Sequence, residues 1–202
     1  MTMYGTLAEL RLRLDITSTT DTTDDARLTT ALEAATEAIE KLTGRRFYAS
    51  TETRYYSTDS PLYVKVDDLL SVTTLQTDHD GDRSYEYTWT AGDYDLTPLN
   101  SGLETRPFTR IEVAPDGSYY FPTGARNPKA IKVAGSWGYC TAGDCPSAVN
   151  EACYLMAAQI WKRKDALFGI QGSAGFYQSL KAGGINDQTV ELLLKPLMRR
   201  VW

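Results

Sequence analysis

The apolar positions near the start of the chain recur at intervals of three and four residues, which is the repeat of an amphipathic helix. Thr6 followed by Glu9 has the capping-box pattern of a helix N-terminus, and Asp24 and Asp25 mark a second helix start after a Thr-rich segment. Gly44 can take the left-handed conformation that ends a helix. The apolar faces consist of Leu7, Leu10 and Leu14 in the first helix and of Leu28, Leu32, Ala35, Ile39 and Leu42 in the second. The pattern therefore predicts two helices up to about Gly44.

Between about Tyr48 and Gly135 the pattern changes to an alternation with a period of two, which is typical of half-buried strands. The alternating sets are Thr51, Thr53 and Tyr55; Leu62, Val64 and Val66; Tyr85, Tyr87 and Trp89; Ile111 and Val113; and Ile131 and Val133. Asp80-Gly81 suits a tight hairpin, and Pro115-Asp116-Gly117 suits a β-turn. This zone is predicted to form an antiparallel sheet or small barrel.

Helical spacing returns at Pro146, which suits the first turn of a helix because its missing N–H is not needed there. The apolar face of that helix consists of Val149, Ala152, Cys153, Met156, Ala157 and Ile160. The Gly-rich stretch 169–184 is predicted to be a mobile loop that orders against a partner. A last helix is expected from about Asp187, with a kink at Pro196 and an apolar tail ending on Trp202.

The three zones together predict an α+β fold. Residues 1–47 and 136–202 are expected to form a helical core bundle from the N-terminal and C-terminal helices, and residues 48–135 an inserted antiparallel β-rich subdomain. The 202 residues, 42% of them hydrophobic, can fill a sizeable core, which excludes a disordered chain. Since no apolar run approaches the roughly 20 residues of a membrane helix and no signal peptide is visible, we expect a soluble protein made in the cytoplasm.

Candidate chemistry is sparse. His79 is the single histidine, so a catalytic triad or a multi-histidine metal site would have to include it. The acidic run 78–82 lacks the ligand spacing of a calcium loop, which favours a plain turn. Cys140, Cys145 and Cys153 are an odd number without an export signal, so we expect free thiols, and they are too few for structural zinc. The sequence predicts no catalytic residue, no cofactor and no metal site.

Charge and aromatic content leave two features open. The net charge of −5 argues against a general DNA-binding protein, because affinity for phosphates comes from Lys and Arg. The basic clusters Arg45-Arg46, Lys162-Arg163-Lys164 and Arg199-Arg200 lie near predicted helix C-termini, where they either compensate the helix dipole or contact a partner. The 13 tyrosines suit either the outer layer of a sheet or a large interface. A Tyr-rich module that binds a carbohydrate or protein ligand is therefore one alternative function.

Four stretches, read in order, carry a resemblance to a known family. They are Tyr4 to Leu10; Ala38 to Phe47; Ile131 to Gly135 followed by Trp137-Gly138-Tyr139; and Pro146 to Gly169, which contains Ala157-Ala158 and Trp161 to Asp165. In order and spacing they resemble the head-tail connector, or adaptor, proteins of long-tailed bacteriophages, which include many prophage "putative DNA packaging" proteins. The resemblance covers the two helical zones, a little over half of the chain, and leaves the strand-rich zone unassigned.

The resemblance implies a structural protein of the virion neck, assembled in the host bacterial cytoplasm, and not an enzyme. Copies would form a ring of twelve under the portal protein, with DNA passing through the lumen without sequence-specific binding. The C-terminal segment would engage the portal through Leu192, Leu193, Leu197, Arg199, Arg200 and Trp202. Candidates for contacts between subunits are Arg45, Arg46, Lys162, Arg163 and Lys164. The opposite face would receive a stopper or tail-completion protein, and this chain being one of those two neck components is the nearest alternative.

Overall fold

The computed structural model describes residues 2–16, 22–124, 127–141, 145–166 and 188–199. It divides into two compact units, a helical unit of Met1–Arg45 with Pro146–Trp202 and a strand unit of Arg46–Cys145. The described α-helices are α1 (Leu7–Arg13), α2 (Asp25–Thr43), α3 (Ser147–Ala166) and α4 (Gln188–Leu194). With an antiparallel six-stranded sheet in the other unit, the chain is an α+β protein, as the sequence predicts. No described helix has both the length and the apolar character to cross a membrane.

Helix α1 begins after Thr6, the N-cap residue that the sequence predicts. The Thr6 hydroxyl accepts a hydrogen bond from the backbone N–H of Glu9 at 3.3 Å, which satisfies one of the free donors of the first turn. The Glu9 carboxylate, however, pairs with Arg13 at 3.1 Å, one turn further along the same helix. Leu10 is fully buried, and ion pairs join Arg11 to Asp25 of α2 and Arg13 to Glu151 of α3, so apolar packing and charge pairing together hold this short helix to the unit.

The apolar residues predicted to form the buried face of α2 are buried over most of the helix. Leu28, Leu32 and Ile39 are fully buried, and Gly44 ends the helix with a φ of 64°. Leu42 does not continue this face, since 49% of its surface is exposed. Thr43 is buried instead, and its hydroxyl bonds the carbonyl oxygen of Ile39 at 2.7 Å. This back-bond to the preceding turn lets a polar residue occupy a core position.

Helix α3 buries most of its predicted apolar face, with Val149, Ala152 and Met156 fully buried. The last described segment of the chain packs into the helical unit. Leu194 of α4 is buried, and the backbone N–H of Arg199 donates to the carbonyl oxygen of Thr43 at 2.8 Å. The segment is therefore part of the helical unit up to Arg199. The predicted kink occurs at Pro196, where α4 gives way to a 3₁₀ turn, Lys195–Leu197.

The strand unit is built around one long strand. Its strands are β1 (Ser50–Tyr56), β2 (Tyr63–Thr77), β3 (Tyr87–Trp89), β4 (Tyr94–Thr97), β5 (Phe108–Val113) and β6 (Ile131–Trp137). The order is β1-β6-β2-β5-β4, with β3 paired to β2 beyond the end of β5. The first half of β2 pairs with β5, and the second half pairs with β6. Strand β6 crosses the predicted boundary at residue 135, so the strand unit extends further along the chain than the sequence indicates.

Strand β1 is half-buried, as its alternation predicts, and the set Thr51, Thr53 and Tyr55 lies on its exposed face. For Tyr55, 47% of the surface is exposed. The half-buried face carries Glu52 and Arg54, because the Arg54 guanidinium lies 4.7 Å from the ring centroid of Trp137 and pairs with the Glu52 carboxylate. The core beneath the sheet is aromatic and aliphatic, and includes Val64, Leu75, Trp89, Ile111, Phe121, Ile131, Val133 and Trp137.

The expectation of three free thiols is wrong for two of them. A disulfide joins Cys140 and Cys145, whose Cα atoms are 5.2 Å apart. Cys153 is free and buried in α3. The prediction rests on the cellular compartment and on the odd number of cysteines. Neither of these determines whether two particular cysteines lie close enough to form a disulfide. The backbone brings the two Cα atoms within the range that a disulfide requires.

Candidate functional site

The residues predicted to contact the portal divide into exposed and packed groups. Leu192 projects from α4 with 74% of its surface exposed, whereas Leu193 and Leu197 are half-buried in the helical unit. Arg199 has an exposed side chain and a backbone held by Thr43. Arg200 and Trp202 lie outside the described residues, as does the predicted loop 169–184. Among the described members of this set, Leu192 is the one that offers a bare apolar surface.

The basic residues predicted to contact neighbouring subunits are not one cluster. The Arg45 side chain donates to the carbonyl oxygen of Leu197 at 2.8 Å, inside the helical unit. Arg46 begins the strand unit and pairs with Glu52 at 2.5 Å. Lys162 and Arg163 are exposed on α3 and form no ion pair with the described carboxylates. The side chain of Lys164, on the same helix, lies outside the described part.

Glu52 is the centre of a polar network along β1. Its carboxylate accepts hydrogen bonds from Ser50 at 2.7 Å and from Arg54 at 2.9 Å, and it pairs with Arg46. The Ser50 hydroxyl and the Arg54 guanidinium lower the pKa of Glu52 from its usual 4.5 to about 2, against the opposing effect of partial burial. The network orders the first strand after the helical unit.

This network gives the strand unit a pH dependence. Because the pKa of Glu52 is lower in the folded chain than in the unfolded one, its stabilisation is complete above about pH 4.5 and is lost as the pH falls towards 2. We expect Glu52→Gln to flatten the decline of unfolding free energy over this interval, as measured by urea unfolding in a pH series. Glu33→Gln, at an exposed position of α2, is the control. An unchanged slope for Glu52→Gln would contradict the assignment.

His79 and its acidic neighbours form a turn. The connection from β2 to β3 spans residues 78–86 and is longer than the tight hairpin predicted from Asp80-Gly81. The buried Asp78 carboxylate accepts the backbone N–H groups of Gly81 at 2.7 Å and Arg83 at 3.0 Å. Burial raises the pKa of Asp78, but these donors outweigh burial and leave the pKa below its ordinary value. The hydrogen bonds account for the turn without an ion.

His79 contacts Thr77 and Tyr87. Its Nε2 atom lies 3.2 Å from the Thr77 hydroxyl, and its ring meets Tyr87 edge-on at 4.8 Å between centroids. Oxygen atoms of Asp78, Asp80, Asp82 and Glu86 lie within 4.8 Å of one another. Exposed acidic groups of this kind are common on protein surfaces, and three of the four are exposed.

An aromatic pocket opens beside His79. It has a volume of about 530 Å³ and is lined by residues from two connections of the strand unit: His79, Tyr87, Ser118, Tyr119, Tyr120, Phe121, Pro122 and Thr123. Phe121 stacks on the core residue Trp89 with 4.6 Å between ring centroids, and Tyr119 contacts the same indole at 5.7 Å. Tyr87 and Tyr120 are 41% and 59% exposed. We call this feature the aromatic pocket.

A second surface feature escaped the sequence analysis. The connection between β4 and β5, residues 98–107, carries Leu99 with 74% and Leu103 with 86% of its surface exposed. We call it the leucine loop. Its leucines have no helical or strand periodicity, so pattern analysis does not single them out. The sequence feature that indicates an ordered connection here is a proline at each end of the loop, Pro98 and Pro107.

The helical unit and the antiparallel six-stranded sheet make this chain an α+β protein. No protein-family model matches the chain, and no curated protein matches it. Solved structures do match. A chain in the neck of an empty GTA particle, computed with C6 symmetry, has a TM-score of 0.59 and 21% identity, over 97% of this chain and 90% of that one.

Two further solved structures are similar to this chain. A chain in the neck of a native GTA particle, computed with C12 symmetry, has a TM-score of 0.56 and 19% identity. A chain in the virion of a native gene transfer agent (GTA) particle has a TM-score of 0.52 and 20% identity. Both matches cover 97% of this chain and 90% of the other chain. At these identities the likeness shows a shared fold, and it includes the strand unit as well as the helical zones.

Proposed function

We propose that this chain is a structural component of the neck of a tailed-phage-like particle, the head-tail connector that forms a ring under the portal. The observation that carries the proposal is the shared fold over 97% of this chain and 90% of a chain found in a particle neck. The helical motifs, which resemble the connector family, support it independently. In this role the chain is not an enzyme and needs no cofactor or metal.

A ring of identical subunits needs one repeated interface with two complementary faces on each subunit. Twelve copies is the number we propose, and a match found in a neck computed with C12 symmetry supports it. DNA passes through the lumen without sequence-specific binding, and the acidic net charge of −5 suits such passage because it limits binding to phosphates. The stopper or tail-completion protein binds the face opposite the portal.

Leu192 is the proposed centre of the portal contact. Its exposed side chain stands on a helix fixed by the buried Val190 and Leu194, so the apolar surface is held in position without a loss of chain entropy on docking. Deleting the segment from Leu192 onward would remove a core residue of the helical unit. A point substitution therefore tests the contact more cleanly than a truncation.

The test is a cryo-EM reconstruction of the neck in particles that carry either the natural chain or Leu192→Glu. We expect the natural chain to form a ring directly against the portal, and Leu192→Glu to yield DNA-filled capsids without tails. The control is Leu12→Glu, which changes a leucine of α1 that is 65% exposed and should leave tails attached.

Each outcome has a distinct meaning. A ring one level below the portal would identify the chain as a stopper or tail-completion protein. Absence of the chain from the neck would overturn the proposal altogether. Normal infectivity of Leu192→Glu particles would remove Leu192 from the portal contact and leave the ring itself in place.

A further inference from the structure

The disulfide between Cys140 and Cys145 joins a residue that the backbone fixes to one that it does not. Cys140 is 5% exposed, and its backbone N–H donates to the carbonyl oxygen of Phe47 at 3.0 Å. The N–H of Tyr139 donates to the carbonyl oxygen of Arg46 at 2.9 Å. Cys145 is partly exposed, and its described polar contacts, like its cross-link, are made by its sulfur. Breaking the disulfide therefore releases Cys145 and leaves Cys140 in place.

The surroundings of the two sulfur atoms suit the reduced form as well as the oxidised one. Sγ of Cys140 lies 3.0 Å from the carbonyl oxygen of Phe47, and Sγ of Cys145 lies 3.7 Å from the same oxygen. A disulfide sulfur carries no proton, so these contacts become S–H···O hydrogen bonds only when the thiols are free. Because the Phe47 oxygen also accepts the N–H of Cys140, it has a partner in both states. Reduction thus leaves no buried acceptor unpaired at this site.

One end of the disulfide is accessible to a thiol reagent. Thiol–disulfide exchange requires a thiolate to reach one of the two sulfur atoms, and exposed disulfides are the more easily reduced ones. The partly exposed Cys145 offers this route, whereas Cys140 is buried. The third cysteine, Cys153, is buried in α3, and its Sγ lies 3.8 Å from the Thr36 hydroxyl. Burial shields that thiol, so exchange concerns the Cys140–Cys145 pair.

We propose that the Cys140–Cys145 disulfide is a redox-sensitive cross-link, absent while the chain assembles in the reducing cytoplasm and formed in the released particle. The inference rests on the proposed function, in which a neck component is made inside the host and leaves it in the particle. Thiol pools keep cytosolic cysteines reduced, whereas disulfides persist outside the cell. The cross-link ties Cys145, the last residue of the strand unit, to the buried Cys140. The end of the strand unit is therefore less constrained during assembly and fixed afterwards.

The cross-link forms by exchange with a low-molecular-weight disulfide. The Cys145 thiolate attacks this oxidant, forms a mixed disulfide with one half of it and displaces the other half as a thiolate. The Cys140 thiolate then attacks the Cys145 sulfur, which forms the new S–S bond and displaces the second small thiolate. The two protons that the cysteines lost are taken up by the two displaced thiolates. The cysteine pair thus loses two electrons and two protons, and the oxidant becomes two thiols.

Thiol trapping in the two compartments tests the proposal. Producing cells and released particles are quenched in acid, denatured and alkylated, and the cysteine-containing peptides are identified by mass spectrometry. We expect the disulfide-bonded fraction of Cys140 and Cys145 to be roughly tenfold higher in released particles than in cells. Cys153 is the internal control, because it should be alkylated in both samples. Equal fractions in the two samples, whether oxidised or reduced, overturn the inference.

The purified full-length chain tests reversibility independently of the neck. Reductant should lower its melting temperature by roughly 4–8 °C, because the cross-link restricts the unfolded chain. Cys145→Ser should melt with the reduced chain and should not respond to reductant. A disulfide that does not re-form in a glutathione buffer, or an equal effect of reductant on both proteins, contradicts a reversible cross-link. The neck reconstruction alone decides where the chain lies, so failure of this inference is distinguishable from failure of the proposed function.

Discussion

Gly135→Ala is expected to destabilise the strand unit strongly. A Cβ atom at residue 135 would overlap the carbonyl oxygen of Ser71 and lie 3.3 Å from Cα of Val72. Both obstacles are backbone atoms of β2, which the β6 pairing holds in place, so no side-chain rotation relieves the overlap. Strand β2 changes register with β6 on either side of this point, and its irregular backbone comes unusually close to Gly135.

The expected cost is about 3 kcal/mol, at the upper end of the range for overpacking a core. In a chain of this size, such a loss lowers the melting temperature by roughly 6–12 °C. Thermal unfolding followed by circular dichroism measures the shift, and hydrogen exchange of the β2 and β6 amides localises it. Gly92→Ala is the matched control, because a Cβ there meets nothing within 4 Å. A shift no larger than that of Gly92→Ala would show that β2 can move away without cost.

The close approach at Gly135 illustrates what the sequence could predict and what it could not. The alternation Ile131, Val133 predicts the strand and its buried face correctly, because these side chains pack beneath the sheet. That β6 must contain a glycine follows from the bulged register of a strand some sixty positions earlier in the chain. Periodicity describes one element at a time and carries no information on such pairings.

The same limit applies to the two faces of β1. Alternation specifies two faces but does not say which one is buried when both carry polar residues. Arg54 takes the inner face because Trp137 from β6 offers its ring to the guanidinium and Glu52 neutralises the charge. The first condition depends on the pairing of β1 with β6, and Tyr55 is left outside in consequence.

The candidate surfaces were predictable to different degrees. The sequence names Leu192, Leu193 and Leu197 of the final segment as candidates but not Leu194, which is the buried leucine there. The aromatic pocket combines His79 and Tyr87 with residues 118–123, which no local pattern connects. The leucine loop was missed because exposure, rather than composition, makes its leucines notable. Surfaces built from distant segments require the fold before they can be recognised.

Gly5→Ala should likewise destabilise the helical unit, by about 2 kcal/mol. A Cβ atom at residue 5 would lie 2.6 Å from Cε1 of Tyr154 and 3.0 Å from Cδ2 of Leu32. The Tyr154 ring cannot turn aside freely, because its hydroxyl accepts the backbone N–H of Thr6 at 3.0 Å and the Arg13 guanidinium lies 4.4 Å from its centroid. The clash therefore disturbs the contact between the start of the chain and Tyr154 of α3.

A double-mutant cycle separates this clash from a general effect of the added methyl group. In a Tyr154→Ala background the ring is absent, so Gly5→Ala should then cost less than half as much as in the natural chain. Urea unfolding of the four proteins gives the coupling free energy directly. Equal costs in both backgrounds would mean that Tyr154 does not confine residue 5. A large coupling would show that Gly5 is required for packing of the chain start against Tyr154 of α3.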